Sequence, residues 1–498
     1  MSSTNIFPRR SQATSEVLSG TDLRHVLVVP IDFAKKTHVA QIARGTGEYL
    51  RKRPLNVHNT AEGSQFLLDK IDSCRNRYRV PKRNVVIGGE DPPEYVWNFV
   101  ADIQAAGYHF VRVNAKEAKK HRATTRATSD AIALDGIAQA MLLRRAYDIQ
   151  SHDEIYGAMK MASRTRRKLK KQATALKNRI HRNVEVLLPG FLSETESGLL
   201  PFGQGSLDLM EKGCSVVRVR RMREDALAKR LRKLRVHNPA AAAAKLKSLA
   251  EAALPPEASI IPYLEKSLAA KVRLLRAIRE NIRLEENEMA RCLAQTPGFL
   301  LTSIPGLAIV LSGGLVAEYG CTDDWRHPDR MASYAGVVPR THQTGGPESE
   351  AVAGQLPIDS NHHLKDQLLQ AAFQTGHNTH PAWRRLELPG EHPLFEHYRD
   401  IELREGRSRL GTAKKLLKVI CAMTRDHRVY LPHNALDPGA PDAMPGEFFI
   451  EYLEIVGQML RTKWKGYDLS GIPEERNQLA NWLKETDRLI NHYRKTNR

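Results

Sequence analysis

The first 150 residues alternate between short apolar runs and segments whose apolar residues have helical spacing. Runs at 25–33 (HVLVVPIDF), 37–43 and 48–57 are rich in β-branched residues, and the Arg-Gly-Thr-Gly turn at 44–47 separates the second run from the third. Such runs between turn residues are typical of β-strands. The sequence therefore predicts two or three antiparallel strands near the start of the chain.

Strands and helices alternate after residue 60. Apolar strands are predicted at 84–90 (NVVIGGE) and 108–114 (YHFVRVN). Helices are predicted near 62–71, 94–106 and 129–142. Antiparallel strands followed by strands that alternate with helices indicate an α/β sheet. This order fits an RNase H-like core.

The apolar spacing changes from about residue 155. Apolar residues recur in steps of three and four over 169–187 and 264–293, which predicts two amphipathic helices of coiled-coil length. After Pro297, a Pro-Gly turn between two helical segments is typical of a helix-hairpin-helix, whose backbone N–H groups would face a phosphate. The sequence divides into a leader at 1–23, which we expect to be disordered, an α/β domain at 24–150, a basic helical hairpin or coiled coil at 151–296, a mainly α C-terminal domain at 297–432, and a helical extension of unassigned role at 433–498.

Charge narrows the class of partner. The chain has 76 Lys and Arg against 56 Asp and Glu, a formal net charge of +20. This excess favours a polyanionic partner, because basic side chains that meet phosphates release counterions. The five cysteines form no CxxC pair, which argues against a zinc finger or a disulfide framework. The polar N-terminus and the lack of a long apolar run predict a cytoplasmic protein without membrane contact.

Basic residues concentrate on the first long helix. The candidates for nucleic-acid contact there are Arg166, Arg167, Lys170, Lys171 and Arg179. A charged helix face is often only solvated, but nearly uniform positive charge repels itself, so both interpretations stay open. His362, His363, His377 and His380 are expected at the surface or against phosphate, since HxxH without a cysteine or acid at ligand spacing indicates a metal only weakly.

Acidic residues end two of the predicted strands. Asp32 follows the first strand and Glu90 the fourth, while Asp130 and Asp135 lie on the helix after the next strand. Phosphodiester chemistry uses carboxylates to hold two divalent cations about 4 Å apart. A single strand-end acid is more often a turn or helix cap, but this combination predicts a metal site. An actin-like kinase fold is disfavoured, because its second glycine-rich phosphate loop would have to be GGLVAEYG, which lies in a helical context.

Five segments give the chain a family resemblance. They are IDFAKKTHVA (31–40), VVIGGEDPPEYVW (85–97), the strand and acidic helix at 108–142, the block at 304–346 that includes YAGVVPRTHQTGG, and the basic helical stretch at 392–432. Over about residues 25–432 the chain resembles the insertion-sequence-110 transposases, the bridge-RNA-guided recombinases. These have a RuvC-like DEDD N-terminal domain, a helical hairpin, and a C-terminal domain with a catalytic serine.

The resemblance assigns site residues by position. It implies that Asp32, Glu90 and Asp130 are the first three acids of the DEDD set. The position of the fourth acid is Ala133 here, and the nearest substitute, Asp135, lies about 140° around an ideal helix from Asp130.

The resemblance also places a threonine where the family has its serine. Thr344 takes this position, and its hydroxyl is chemically competent but more hindered than that of serine. Arg340 and Lys365 remain as phosphate contacts near it.

The function implied by the resemblance is DNA transposition in a bacterial cytoplasm. It includes strand cleavage and exchange that depend on Mg²⁺ (a two-metal site, or Mn²⁺), a hydroxyl nucleophile, a structured guide RNA encoded by the element, and assembly as a dimer or tetramer. The departures at Ala133 and Thr344 leave two alternatives. One is a nuclease similar to Holliday-junction resolvases, which forms no covalent intermediate. The other is a decayed copy that binds nucleic acid without cutting it.

Overall fold

The computed structural model describes residues 12–90, 94–122, 130–148, 154–320, 327–339, 341–342, 352–357, 360–388, 390–406, 408–431 and 446–496. The chain divides into two compact units, Met1–Ser151 and His152–Arg498. Among the described residues, no helix combines the length and the apolar character needed to cross a membrane.

The first unit is built on a mixed seven-stranded sheet. Its strands are β1 (Leu27–Asp32), β2 (Thr37–Ala40), β3 (Ala43–Arg44), β4 (Leu55–His58), β5 (Val85–Glu90), β6 (His109–Val113) and β7 (Tyr147–Asp148). The order across the sheet is β4-β2-β1-β5-β6-β7, and β3 pairs with β1. β5 runs parallel to β1 and β6, while β2, β4 and β7 pair antiparallel with their neighbours. The predicted RNase H-like α/β fold is confirmed.

Helices cover both faces of this sheet. They are α1 (Gln12–Gly20), α2 (Ala61–Arg77), α3 (Trp97–Ala105), α4 (Ala115–Lys120) and α5 (Asp130–Leu142). Side chains alternate along a strand, so Leu27, Val29 and Ile31 of β1 join the core under α2 and α3. Val28 points the other way, into the core that α1, α4 and α5 close. Burial on both faces explains why these strands are continuous apolar runs.

Two segments of the first unit differ from the prediction. The leader contains α1, because Leu18 is buried in the second core with Val17 packed beside it. The strand expected over 48–57 is limited to Leu55–His58 and a single bridge between Ala43 and Tyr49. Arg51, Lys52 and Arg53 are exposed, so the residues between form a loop instead.

The second unit begins with a long helical hairpin. Helices α6 (Glu154–Leu187) and α12 (Ile261–Ala294) have 34 residues each and pack along one another. Their shared core contains the predicted periodic residues Ile180, Val184, Leu268 and Val272. Five shorter helices between them pack onto the same core: α7 (Glu194–Ser197), α8 (Gln204–Lys212), α9 (Val216–Arg221), α10 (Glu224–Lys233) and α11 (Pro239–Ala252). The predicted hairpin thus carries a small helical bundle.

The remaining helices share a separate core, and a short two-stranded sheet lies between two of them in the chain. These elements are α13 (Ile309–Tyr319), α14 (Pro328–Ala335), β8 (Thr341–His342), β9 (Val352–Ala353), α15 (His362–Thr375), α16 (Pro381–Arg385), α17 (Pro393–Glu405), α18 (Ser408–Arg425), α19 (Gly446–Trp464) and α20 (Gln478–Thr496). Tyr452, Leu460 and Leu479 of α19 and α20 are buried in this core with α13 and α15. The C-terminal extension therefore packs as part of the C-terminal region.

The predicted helix-hairpin-helix turn packs its apolar side chains into the core of the second unit. A 3-10 helix at Pro297–Ser303 leads into it, and Ile304 and Leu307 are buried. Lys463 of α19 donates from Nζ to the carbonyl oxygens of Thr302 and Leu307, at 2.6 and 3.0 Å. The N–H groups of Ile304 and Leu307 bond to carbonyls within the turn itself. Gly306 is only partly buried and Ala308 is exposed, so the phosphate contact expected at this turn stays a prediction.

Candidate active site

The carboxyl ends of the two central strands meet at one edge of the sheet. β1 and β5 are parallel neighbours, with Ile31 opposite Gly89. The next residues are Asp32, which ends β1, and Glu90, which ends β5. The fold therefore brings these two predicted acids to the same place, as expected for adjacent parallel strands.

The Gly-Gly pair before Glu90 allows close packing around this edge. A Cβ atom on Gly88 would lie 2.7 Å from Val111 Cγ2 and 2.9 Å from the Met141 side chain of α5. A Cβ atom on Gly89 would collide with the ring of Phe33 on the opposite face. Side chains at either position would push α5 or the β1–β2 turn away, so the two glycines help to fix where the acids stand.

Helix α5 brings a third acid to the strand ends. It begins at Asp130 and packs across β1. The pKa of Asp32 is raised, first because the side chain is half-buried and then because the negative charge of Asp130 acts on it. Asp32 and Asp130 thus share one electrostatic environment, although about a hundred residues separate them in the chain.

An arginine that the sequence analysis missed completes this cluster. Arg122 Nη2 donates to Glu90 Oε2 at 2.7 Å, and the two side chains are 28% and 26% exposed. Its positive charge also acts on Asp32 and opposes the rise of that pKa. Arg122 Cγ lies close to α5, where a Cβ atom on Gly136 would be 2.7 Å from it. A single arginine among basic neighbours gave no sequence signal for this role.

Asp135 has a different neighbour. Its Oδ1 accepts a hydrogen bond from the Tyr49 hydroxyl at 3.3 Å. Burial and the charge of Asp135 raise the pKa of Tyr49 to about 12. Among the described residues, the charges that act on Asp32 are those of Asp130 and Arg122. Helix α5 already begins at Asp130, so no late start turns Asp135 toward the acids, and its role as fourth acid stays a prediction.

A cavity of about 380 Å³ lies between helix α5 and the loop that joins β3 to β4. Ala131 and Leu134 of α5 form one wall, and the loop between β3 and β4 forms the other with Tyr49, Leu50, Arg51, Lys52 and Pro54. The Gln41 side chain donates to the backbone carbonyl of Arg51 at 3.0 Å and holds this loop. Two residues with cationic side chains, Arg51 and Lys52, therefore line an opening beside the first turns of α5.

The donor set suits a hard divalent cation. Within the described part of the chain, no three acidic, histidine or cysteine side chains are grouped closely enough to hold a metal ion as they stand. Glu90 is directed to Arg122, while Asp32 and Asp130 repel each other. Carboxylate oxygens are the ligands that Mg²⁺ and Mn²⁺ prefer, and mutual repulsion of acids is relieved by a bound cation. The chemistry of these three side chains therefore suits such an ion, although the described residues do not group them as a metal site.

The predicted nucleophile lies outside the described residues, as does Arg340. Thr344 belongs to the segment between β8 and β9, which pair antiparallel through Thr341 with Ala353 and His342 with Val352. Lys365, the other predicted phosphate contact, lies in the first turn of α15 and is partly buried.

A buried carboxylate lies near the chain segments that lead to and from this strand pair. Glu318 of α13 accepts two hydrogen bonds from Arg164, at 2.9 and 3.0 Å, and one from Asn361 at 2.9 Å. Asn361 also caps α15 and bonds through its backbone N–H to the carbonyl of Tyr334. The signal in the sequence was a single acid inside the otherwise apolar helical segment GGLVAEYG. That segment was considered above only as a possible phosphate loop.

The basic residues of α6 fall into two groups. Arg166 is paired with Glu286 of α12 at 2.7 Å, and Arg167 with Asp366 and His363 of α15. The three other candidates are exposed: Lys170, Lys171 and Arg179. Ion pairs within the unit hold the first two arginines, so the exposed group is the better candidate for nucleic-acid contact.

Two histidines belong to the C-terminal core. His380 was expected at the surface or against phosphate, but it is fully buried, as is His392. His380 Nδ1 accepts from the Ala382 N–H and caps α16, and the ring stacks on Tyr452. Burial lowers the pKa of His380 to about 3 and that of His392 to about 4. Both are neutral structural groups, and the expectation for His380 was wrong.

The fold and these strand-end acids define an RNase H-like domain of the DEDD type. The family model described as "DEDD_Tnp_IS110: Transposase" matches residues 29–189. A second model, described as "Transposase IS116/IS110/IS902 family", matches residues 299–386. The two matches together cover half of the chain in the expected order, and the protein belongs to the IS110 family of transposases. No curated protein matches the chain.

Proposed function

We propose that this transposase cleaves and rejoins DNA strands at its carboxylate cluster with bound Mg²⁺ or Mn²⁺. The observation that carries the proposal is the convergence of the strand ends of β1 and β5 with the first residue of α5. Asp32, Glu90 and Asp130 would hold the cation, which supplies charge stabilisation for the attacking and leaving oxygens. The sheet holds the backbone of Asp32 and Glu90 at one edge, so both acids start close to the place where the cation would bind.

The nucleophile in this proposal is the hydroxyl of Thr344. Its Oγ1 would form a bond to phosphorus as the bond to the leaving sugar oxygen breaks, and that oxygen would take up a proton. Attack of a second DNA strand end on the threonine ester reverses these changes and restores the hydroxyl. The number of phosphodiester bonds is conserved, so strand exchange would need no other energy source. The family resemblance supports this assignment.

The basic surfaces suggest where nucleic acid binds. Exposed Lys170, Lys171 and Arg179 on α6 would contact the phosphates of a structured RNA encoded by the element. Arg51 and Lys52 line the cavity beside the first turns of α5, and we assign them to the DNA that flanks the scissile phosphate. Arg340 and Lys365 would contact DNA near Thr344. As in the family, a dimer or tetramer would combine acids and hydroxyl groups from different protomers.

Strand exchange tests the proposal. The substrate is a supercoiled plasmid that carries the DNA flanking the gene. RNA transcribed from that DNA and the purified protein are added in a buffer that contains Mg²⁺. We expect Asp32→Asn to abolish strand cleavage and exchange, while Asp22→Asn, an exposed acid of the same unit paired with Arg24, leaves both intact. Exchange by Asp32→Asn at the wild-type rate would exclude the carboxylate cluster as the catalytic site, and absence of exchange by the wild-type protein would leave a nucleic-acid-binding protein.

A second variant separates the recombinase from the resolvase-like nuclease. With Thr344→Ala, a covalent recombinase forms no protein–DNA adduct and cuts no strands, whereas a nuclease that uses only the acids continues to cut. The adduct is detected with end-labelled DNA as a band that protease treatment shifts on a denaturing gel. Thr344→Ser should keep the adduct. Cleavage by Thr344→Ala without any adduct would exclude the threonine mechanism.

A further inference from the structure

Arg122 supplies positive charge to the acids at the strand ends. Its guanidinium bonds to Glu90 at 2.7 Å and its charge also reaches Asp32. The negative charge of Asp130 acts on Asp32 as well. One positive side chain thus acts on the two acids that end β1 and β5, and at Asp32 it opposes the effect of the acid at the start of α5. Clustered acids destabilise a fold unless positive charge lies among them.

The attachment of Arg122 to this site is weak enough to be replaced. Among the described residues, Arg122 bonds to the cluster through Nη2, which donates to Glu90. Its Nε is buried and has no hydrogen-bond partner among the described residues. An arginine in a stable ion pair with a carboxylate frequently donates two parallel N–H···O bonds to it. Here a buried donor is left unused, which adds a cost to the bound position of the arginine.

The side chain also has a route out. Arg122 follows α4, and its Cγ lies in the narrow space that Gly136 leaves on α5. More than a quarter of the side chain is exposed, so the guanidinium can turn to solvent without unpacking the core. Glu90 is similarly exposed. Rotation of the Arg122 side chain alone would free Glu90 to join Asp32 and Asp130.

We propose that Arg122 is the internal counter-ion of the metal site, which neutralises the acids when no metal is bound and must leave Glu90 before a divalent cation can bind. The inference rests on the proposed metal site. It makes Arg122 and the cation competitors, so each weakens the binding of the other by the same factor. Metal affinity is thereby set by a residue that is not a metal ligand.

Metal affinity tests this competition directly. The full-length protein is titrated with MnCl₂ by calorimetry, without DNA or RNA, as wild type, Arg122→Gln, and the control Lys120→Gln. Lys120 is exposed and pairs with Glu117 on α4, outside the cluster. We expect the Kd for Mn²⁺ to fall about tenfold in Arg122→Gln, which corresponds to ~1.4 kcal/mol. The control should match wild type, and Arg122→Lys should lie between the two.

Thermal unfolding provides the second measurement. In EDTA, Arg122→Gln should unfold at a lower temperature than wild type, because the acids repel without compensation. Saturating Mn²⁺ should remove that difference. A loss of stability that Mn²⁺ does not restore indicates a packing role and overturns the inference, as does an unchanged or weaker Mn²⁺ affinity. Absence of Mn²⁺ binding in both wild type and Arg122→Gln would overturn the proposed metal site as well, so the two failures are distinct.

Discussion

The buried histidines of the C-terminal core predict a loss of stability in mild acid. His380 and His392 are both fully buried, and each is bonded in its neutral form. His380 Nδ1 accepts from the Ala382 N–H, so it cannot carry a proton without losing that bond. His392 Nε2 donates to the Asn378 carbonyl oxygen, and Nδ1 is left to accept from the Tyr430 hydroxyl. Protonation of either ring would break one contact and bury a charge.

The sign and size of the effect follow from the two pKa values. Burial lowers the pKa to about 3 for His380 and about 4 for His392, against about 6.5 in the unfolded chain. Below pH 6.5 the unfolded state takes up protons that the folded state does not, so stability falls as the pH falls. Each histidine costs about 1.4 kcal/mol per pH unit in this window. Together they should remove about 4 kcal/mol between pH 7 and pH 5.

Urea unfolding at pH 7, 6 and 5 measures this slope. Tryptophan fluorescence is a suitable probe, because the Trp383 ring lies 5.0 Å from that of His380 and 6.1 Å from that of His392. His380→Asn keeps an acceptor for the α16 cap, and we expect it to halve the dependence on pH. His492→Asn changes an exposed histidine of α20 and is the control. A free energy of unfolding that stays constant from pH 7 to pH 5, or an unchanged slope in His380→Asn, would refute the reasoning.

Two further predictions concern the sheet and the basic helix. Gly89→Val should destabilise the first unit by about 2 kcal/mol, since the new side chain collides with Phe33; urea unfolding measures this, and Val57→Ile, at a buried position of β4, is a matched enlargement away from the acids. Changing Lys170, Lys171 and Arg179 together to Gln should weaken RNA binding and lower the slope of log Kd against log salt by about two to three. Arg283→Gln, an exposed arginine of α12 paired with Glu280, should leave that slope unchanged.

Local patterns in the sequence were sufficient to predict the strands and helices whose buried residues recur at regular spacing. The apolar run at 27–31 indicates a strand that is buried in a sheet core. The spacing of Ile180 and Val184 indicates a helix that packs against a partner helix. Asp32 and Glu90 were predictable for a related reason. Strand ends are visible in the sequence, and adjacent parallel strands place their ends together.

The missed residues depend on contacts between distant parts of the chain. Arg122 meets Glu90 across 32 positions, and Arg164 meets Glu318 across 154. Nothing near Arg122 in the sequence distinguishes it from neighbouring basic residues. His380 looked like a polar surface residue because its aromatic partners Tyr430 and Tyr452 come 50 and 72 positions later. The spacing of apolar residues cannot predict such pairs, because neither residue of a pair alters the apolar pattern of the helix or strand that contains it.

The two arginine–carboxylate pairs illustrate why geometry decides between a fixed and a replaceable ion pair. The Glu318 side chain is 1% exposed and accepts three hydrogen bonds, two of them from both arms of the Arg164 fork. Removing Arg164 would leave the buried Glu318 carboxylate without its cation, which typically costs about 3–5 kcal/mol. Glu90, 26% exposed, receives one such bond from Arg122, and water can solvate both groups when they separate. The Arg164–Glu318 pair therefore stabilises the fold. The Arg122–Glu90 pair can separate in water, and in our proposal the free energy of binding a divalent cation compensates for the lost ion pair.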